Sequence, residues 1–209
     1  KGLDWKGFEH KAWDIRCMEV YAAMTEIMDR GIGRIVNELK KQKLFENTLV
    51  IYLQDNGGCA EGYGRANNSQ KKEKFKFKPL GKDGLQTKIW PPMQTRDGRF
   101  VRTGPETMPG GDDTFVAYGP GWANTSNTPF RGYKHDPYEG GIGTPLIVSW
   151  PRGITSDQNG KIIHAISHLI DLMPTFVEAA GAPYPKNYNG NEIQPMEGVS
   201  LIPTLAGNP

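Results

Sequence analysis

Apolar side chains recur at Cys17, Val20, Tyr21, Met24, Ile27, Met28, Ile32, Ile35 and Leu39, mostly in steps of three and four that gather them on one helical face. The pattern predicts a helix over residues 12 to about 43. Gly31 and Gly33 interrupt it at up to about 1 kcal/mol each, so a close contact with a sheet is expected there. "TLVIYL", 48 to 53, is apolar on both faces, the mark of a central parallel strand covered by helices. "TPLIVSW", 144 to 150, reads as a second buried strand ended by Pro151, and "TFVAYG", 114 to 119, as a short strand returning to the core. "DLMPTFVEAAG" is a punctuated helix, with Asp171 as N-cap, Pro174 in the first turn and Gly181 as C-cap. Leu172, Phe176, Val177 and Ala180 are its expected buried stripe, and the Pro- and Asn-rich tail after Gly181 reads as a surface crossing.

A long helix followed by a doubly apolar strand points to an α/β class with an open, largely parallel sheet. Ligands of such sheets sit beyond the C-terminal strand ends. Asp55 and Asn56 fall there, followed by Gly57 and Gly58. Two hard oxygen donors suit a metal, although an Asx turn closing the strand accounts for the same residues. Residues 59 to 113 differ from both flanks, being polar and rich in Lys, Gly and Pro without helical period. Within them "KKEKFKFKP" interleaves five lysines with Phe75 and Phe77, which fits an exposed hairpin edge or a surface for an anionic polymer. The loop ahead of the second strand offers Arg131, Lys134, His135 and Asp136 within six residues, then Tyr138, Glu139 and two glycines.

Composition changes this picture little. With 209 residues, 37% of them hydrophobic, the chain is long enough for one globular domain, and 26 Gly with 16 Pro imply much loop. Lys plus Arg number 25 against 23 Asp plus Glu, so global charge favours neither nucleic acid nor a membrane surface. No run approaches the roughly 18 apolar residues of a membrane helix, and the first residues lack a signal-peptide core. The chain starts with Lys and reads as a processed or excised piece. Cys17 and Cys59 form neither a disulfide framework nor a metal spacing.

"TLVIYLQDNGG", "PFRGYKHDPYEGGIGTPLIVSWPRGI" and "SHLIDLMPTFVEAAGAP", with the later "MEGVSLIPTLAG", resemble in order and spacing the type I sulfatases, the arylsulfatase-like branch of the alkaline phosphatase superfamily. The resemblance spans nearly everything except residues 59 to 113. It implies part of an alkaline-phosphatase-like three-layer sandwich with a largely parallel central sheet. It also implies one Ca²⁺, with Asp55 and Asn56 among its ligands, and a sulfate-contacting role for Lys134. Arg131 and His135 are weaker candidates for substrate binding. Glu139, Gly140 and Gly141 match as a turn in which the glycines relieve backbone strain. His164 and His168 read as packing residues.

Departures from the family pattern are equally specific. Sulfatases form a formylglycine nucleophile from Cys or Ser in "C/S-x-P-x-R", yet Cys17 precedes "MEV", Cys59 precedes "AEG", and "SWPRG" at Ser149 ends on Gly153 where arginine is required. The formylglycine, the aspartates that complete the calcium site and an upstream histidine are expected outside this chain, as is the small C-terminal sheet. The resemblance therefore implies hydrolysis of a sulfated small molecule or glycan by the full-length protein, with this chain alone inactive, and family members are commonly periplasmic, lysosomal or secreted. The rival readings are a metal phosphodiesterase or phosphatase of the same superfamily and a binding module without catalysis. Asn56 weighs against the first, because two-zinc members resemble one another in carrying "DHG" where this chain has "DNG", and imidazole suits zinc as amide oxygen suits calcium.

Overall fold

A computed structural model describes residues 5–67, 77–87 and 94–207. The lysine-rich stretch expected as a hairpin edge lies mostly outside these residues. The chain forms two compact units, one from residues 1–34 and 56–145, the other from 35–55 and 146–209.

Helix α1 (Lys11–Lys41) forms as its periodicity predicts, starting in the first unit. Its buried residues are Trp13, Asp14 and Cys17, all at the N-terminal end. Met24, Ile27 and Met28 are exposed. The expected close contact at Gly31 and Gly33 is not found: a Cβ at either would meet nothing within 4 Å. In the first unit α1 packs through polar as well as apolar groups. The Trp13 indole donates to the Thr107 carbonyl at 2.9 Å, the Trp122 indole donates to the Asp14 carbonyl at 2.9 Å, and Tyr21 stacks on Tyr118 at 4.8 Å. Arg65 inserts beside the helix, its guanidinium 4.8 Å above the Trp13 ring and 2.6 Å from the Asp14 carboxylate. Thr107 belongs to the segment read as an insertion, and Val101 and Thr103 there are also buried. Part of this unit's core thus comes from residues whose polarity suggested periphery, because Thr103 satisfies its hydroxyl on the Ala66 carbonyl at 2.6 Å.

Two further corrections fall in this unit. "TFVAYG" is no strand: Thr114 makes a single bridge to Arg102, and α2 (Gly119–Ser126) begins before the segment ends. The α2 sequence, with a proline in its first turn and a fully buried Ala123, falls in the expected loop ahead of the second strand, where glycines and polar residues hide its helical character. The glycine-rich turn at 139 is likewise one turn of helix, α3 (Glu139–Ile142).

In the second unit β1 (Val50–Leu53) pairs with β2 (Leu146–Ser149), both where the apolar runs predict. The pairing is antiparallel, with Val50 opposite Ser149 and Leu53 opposite Leu146, not the parallel arrangement expected for β1. Both strands are at most half-buried among the described residues, and Ile147 is 60% exposed. Gly153 lies against the Trp150 indole, where an added Cβ would come within 2.0 Å of the ring. That contact explains a glycine at the position where a nucleophile motif needs arginine. A tight hairpin joins β3 (Asn187–Tyr188) to β4 (Asn191–Glu192) through Asn189 and Gly190, both at positive φ. This Asn-Gly turn was present in the sequence as a hairpin signal inside the tail read as surface crossing.

Helix α4 (Leu172–Ala180) ends at Gly181 with φ 59°, the left-handed C-cap expected. Its buried side chain is Thr175, however, and Phe176 from the expected stripe is 44% exposed. Asp171 caps in an unexpected way. Its carboxylate accepts from the backbone N–H of His168 at 2.7 Å and of Val199 at 2.9 Å, not from the helix it precedes. The Thr175 hydroxyl donates to the Asp171 carbonyl at 2.6 Å and accepts from the Leu201 N–H at 2.9 Å. Together they clamp the 199–201 segment onto α4, just before α5 (Ile202–Leu205).

The N–H groups of Val199 and His168 hold the Asp171 carboxyl below the usual carboxylate range. Because its folded value lies below its unfolded value of about 3.9, its stabilisation is present above that pH and fades as pH falls through the folded value. Asp171→Asn in the full-length protein is expected to lose about 2–3 kcal/mol at neutral pH, as hydrogen bonds to a charged acceptor are weakened. Urea denaturation should show the gap from wild type closing as pH falls below the usual carboxylate range and through the lowered folded value. A gap independent of pH would assign the loss to packing instead.

Candidate functional site

The first unit brings two loop segments together, residues 56–61 and 131–141. Two backbone hydrogen bonds join them, Gly57 N–H to the Gly141 carbonyl at 2.9 Å and Lys134 N–H to the Gly58 carbonyl at 3.0 Å. Asn127 bridges them a third time, accepting from Gly58 N–H at 3.0 Å and donating to the Gly132 carbonyl at 3.0 Å. The glycines serve this approach. A Cβ on Gly57 would sit 1.8 Å from the Gly140 carbonyl oxygen, and one on Gly141 would sit 2.1 Å from that of Asp136. Neither Gly140 nor Gly141 has positive φ, so close backbone packing, not relief of torsional strain, requires glycine there.

Lys134 and His135 converge on one carboxylate oxygen, the Oε1 of Glu61, at 3.0 Å from the Lys134 ammonium and 3.2 Å from the imidazole Nε2. The Cys59 thiol meets the other oxygen of Glu61. The Lys134 hydrogen bond, with His135 second, holds the Glu61 carboxyl below its usual range. His135 adopts φ 78°, uncommon for a residue with a side chain. Arg131 does not join this cluster. Its guanidinium lies 4.2 Å over the Tyr138 ring and lines a cavity of about 1180 Å³ with Trp5, Trp122, Tyr133 and Tyr138. Lys134, His135 and Glu61 are not among the residues lining that cavity, so its size alone does not mark the chemistry.

Asp55 is exposed beyond the end of β1. Asn56 is half-buried, and its amide nitrogen donates to the Gly57 carbonyl at 2.9 Å. That bond commits the nitrogen to the chain and leaves the amide oxygen of Asn56 able to serve a hard cation. No group of three or more His, Cys, Asp or Glu gathers to hold a metal among the described residues. Cys17 is 2% exposed, and burial pushes its thiol up to about 11, which disfavours the thiolate a nucleophile needs.

The sulfatase family model matches residues 5–182. The chain belongs to the sulfatase family. It is 32% identical over 195 residues to an arylsulfatase of Klebsiella aerogenes, an alignment covering 92% of this chain and 36% of that protein. An uncharacterized sulfatase of Schizosaccharomyces pombe is 33% identical over 186 residues, 88% of this chain and 29% of that one. Human steryl-sulfatase is 28% identical, with 90% and 22% covered. The chain thus spans about a third of the length of the first two relatives. Membership implies an α/β fold of the alkaline-phosphatase type. No helix among the described residues is long and apolar enough to cross a membrane.

Sequence reasoning named Lys134, His135, Asp55 and Asn56 but missed Glu61 and Asn127. Glu61 lies 73 residues from Lys134, and no local pattern links them.

Proposed function

We propose that the full-length protein hydrolyses a sulfate ester of a small molecule or glycan, with Lys134 contacting the sulfate and Asp55 and Asn56 supplying two ligands of one Ca²⁺. The observation that carries this reading is the joining of the "DNGG" segment to the "GYKHDPYEGG" segment by the Gly57–Gly141 and Lys134–Gly58 bonds, which ties the stretch bearing Asn56 to the loop bearing the lysine. A compact ammonium is suited to charge that builds on a transferring group. Bound calcium would supply further positive charge; the formylglycine nucleophile and the remaining ligands would come from sequence beyond this chain. In the same reading exposed residues of the 59–113 segment set substrate choice, while Val101, Thr103 and Thr107 anchor it in the core, and the β1–β2 pair is one part of a larger, largely parallel sheet. The exposed apolar side chains of Leu146 and Ile147, which as neighbours in β2 point to opposite faces, support the last point, since both faces of a strand inside a parallel sheet are ordinarily covered.

Elemental analysis of purified full-length protein, with assays on an aryl sulfate and an aryl phosphate, tests the reading. About one calcium per chain and preferential sulfate-ester turnover are expected. Two zinc ions with preferential phosphate-ester turnover would replace it with the phosphodiesterase reading.

A further inference from the structure

Side chains adjacent in sequence normally diverge, to opposite faces of a strand or around a helix. Lys134 and His135 instead reach the same oxygen of Glu61, and His135 takes up its left-handed backbone where they do so. Sparsely populated backbone of this kind persists where surrounding structure enforces it, and it clusters at functional sites. Here the enforcing contacts are visible. The Lys134 N–H is fixed to Gly58, three residues before Glu61, and the Asp136 N–H to the Tyr133 carbonyl at 2.9 Å closes a turn around Lys134 and His135.

We propose that Glu61 is a positioning residue, holding Lys134 and His135 side by side so that they meet an incoming sulfate ester as a prearranged pair. The inference rests on the reading of Lys134 as the sulfate-contacting group. An ammonium has three donors, so one bond to Glu61 leaves two for the anion. A lysine on four rotatable bonds is otherwise free to sample many positions, and fixing it before substrate arrives removes that ordering from the reaction. The carboxylate also has an opposite effect, since its negative charge weakens the resting attraction for an anion. Its removal therefore tightens ground-state binding while loosening alignment in the transition state.

Steady-state kinetics of the full-length enzyme on 4-nitrophenyl sulfate test this through a double-mutant cycle. Glu61→Gln is expected to lower kcat about tenfold without raising KM, a coupling of the size seen within one hydrogen-bonded network. Glu61→Asp should recover part of the loss. In a Lys134→Met background, Glu61→Gln should change kcat by less than about twofold. An unchanged kcat in Glu61→Gln, or the same factor lost in both backgrounds, would overturn the positioning role while leaving that of Lys134 intact. Wild-type kcat/KM in Lys134→Met alone would instead remove the reading on which the inference stands. Should Glu61→Gln not fold, Glu61→Ala carries the same cycle with the same criteria.

Discussion

Lys134→Ala in the full-length protein is expected to lower kcat/KM toward a sulfate ester by about 10²–10³-fold, the usual consequence of removing one preorganised electrostatic group from a transition state. Stability should hardly move. The ammonium is 32% exposed and its carboxylate partner 25%, and ion pairs this open to water contribute little to folding. The two readouts therefore separate the roles of the residue. Loss of kcat/KM with an unchanged melting temperature supports a transition-state contact, whereas a lowered melting temperature with unchanged kcat/KM makes Lys134 structural. Lys134→Arg is informative as well, because a planar fork does not reproduce a compact point charge.

Asp14→Ala should have the largest effect on stability, about 3–5 kcal/mol, because it strands a charge inside the first unit. Arg65 is 20% exposed, and without Asp14 its guanidinium would keep the carbonyls of Ala117 and Tyr118 at 3.0 and 2.9 Å but no anion. A contact that attracts strongly can still be replaceable. Exchanging both members, Asp14→Leu with Arg65→Met, removes the two desolvation penalties together and is expected to recover much of the loss. Guanidinium denaturation of the three proteins decides it. A double variant as unstable as the single one would mean that the Trp13 and carbonyl contacts of Arg65, not charge balance, hold α1 in place.

What the sequence made legible was local. Helix α1, strands β1 and β2, and α4 with its Gly181 cap lie within a few residues of their expected limits, because period and punctuation are written over short windows. Strand direction was not legible, since an apolar run such as "TLVIYL" is the same in either pairing. Burial was only partly so: Thr175 displaced Phe176 from the interior because its hydroxyl has two backbone partners to satisfy. At the candidate site, Lys134 and Asn56 stood out through motif resemblance. Glu61 and Asn127 did not, because their partners are distant along the chain and become neighbours only when the two loops meet.

The interlocked glycines at 57, 140 and 141 have a bearing on how far this scaffold can be redirected. Their atoms touch backbone, which cannot rotate aside as a side chain can, so no second substitution nearby can make room for a first. A combinatorial library aimed at new esters is best left invariant at these three positions. Diversity belongs instead at Arg131 and Tyr138, whose exposed side chains border the cavity without forming the lock.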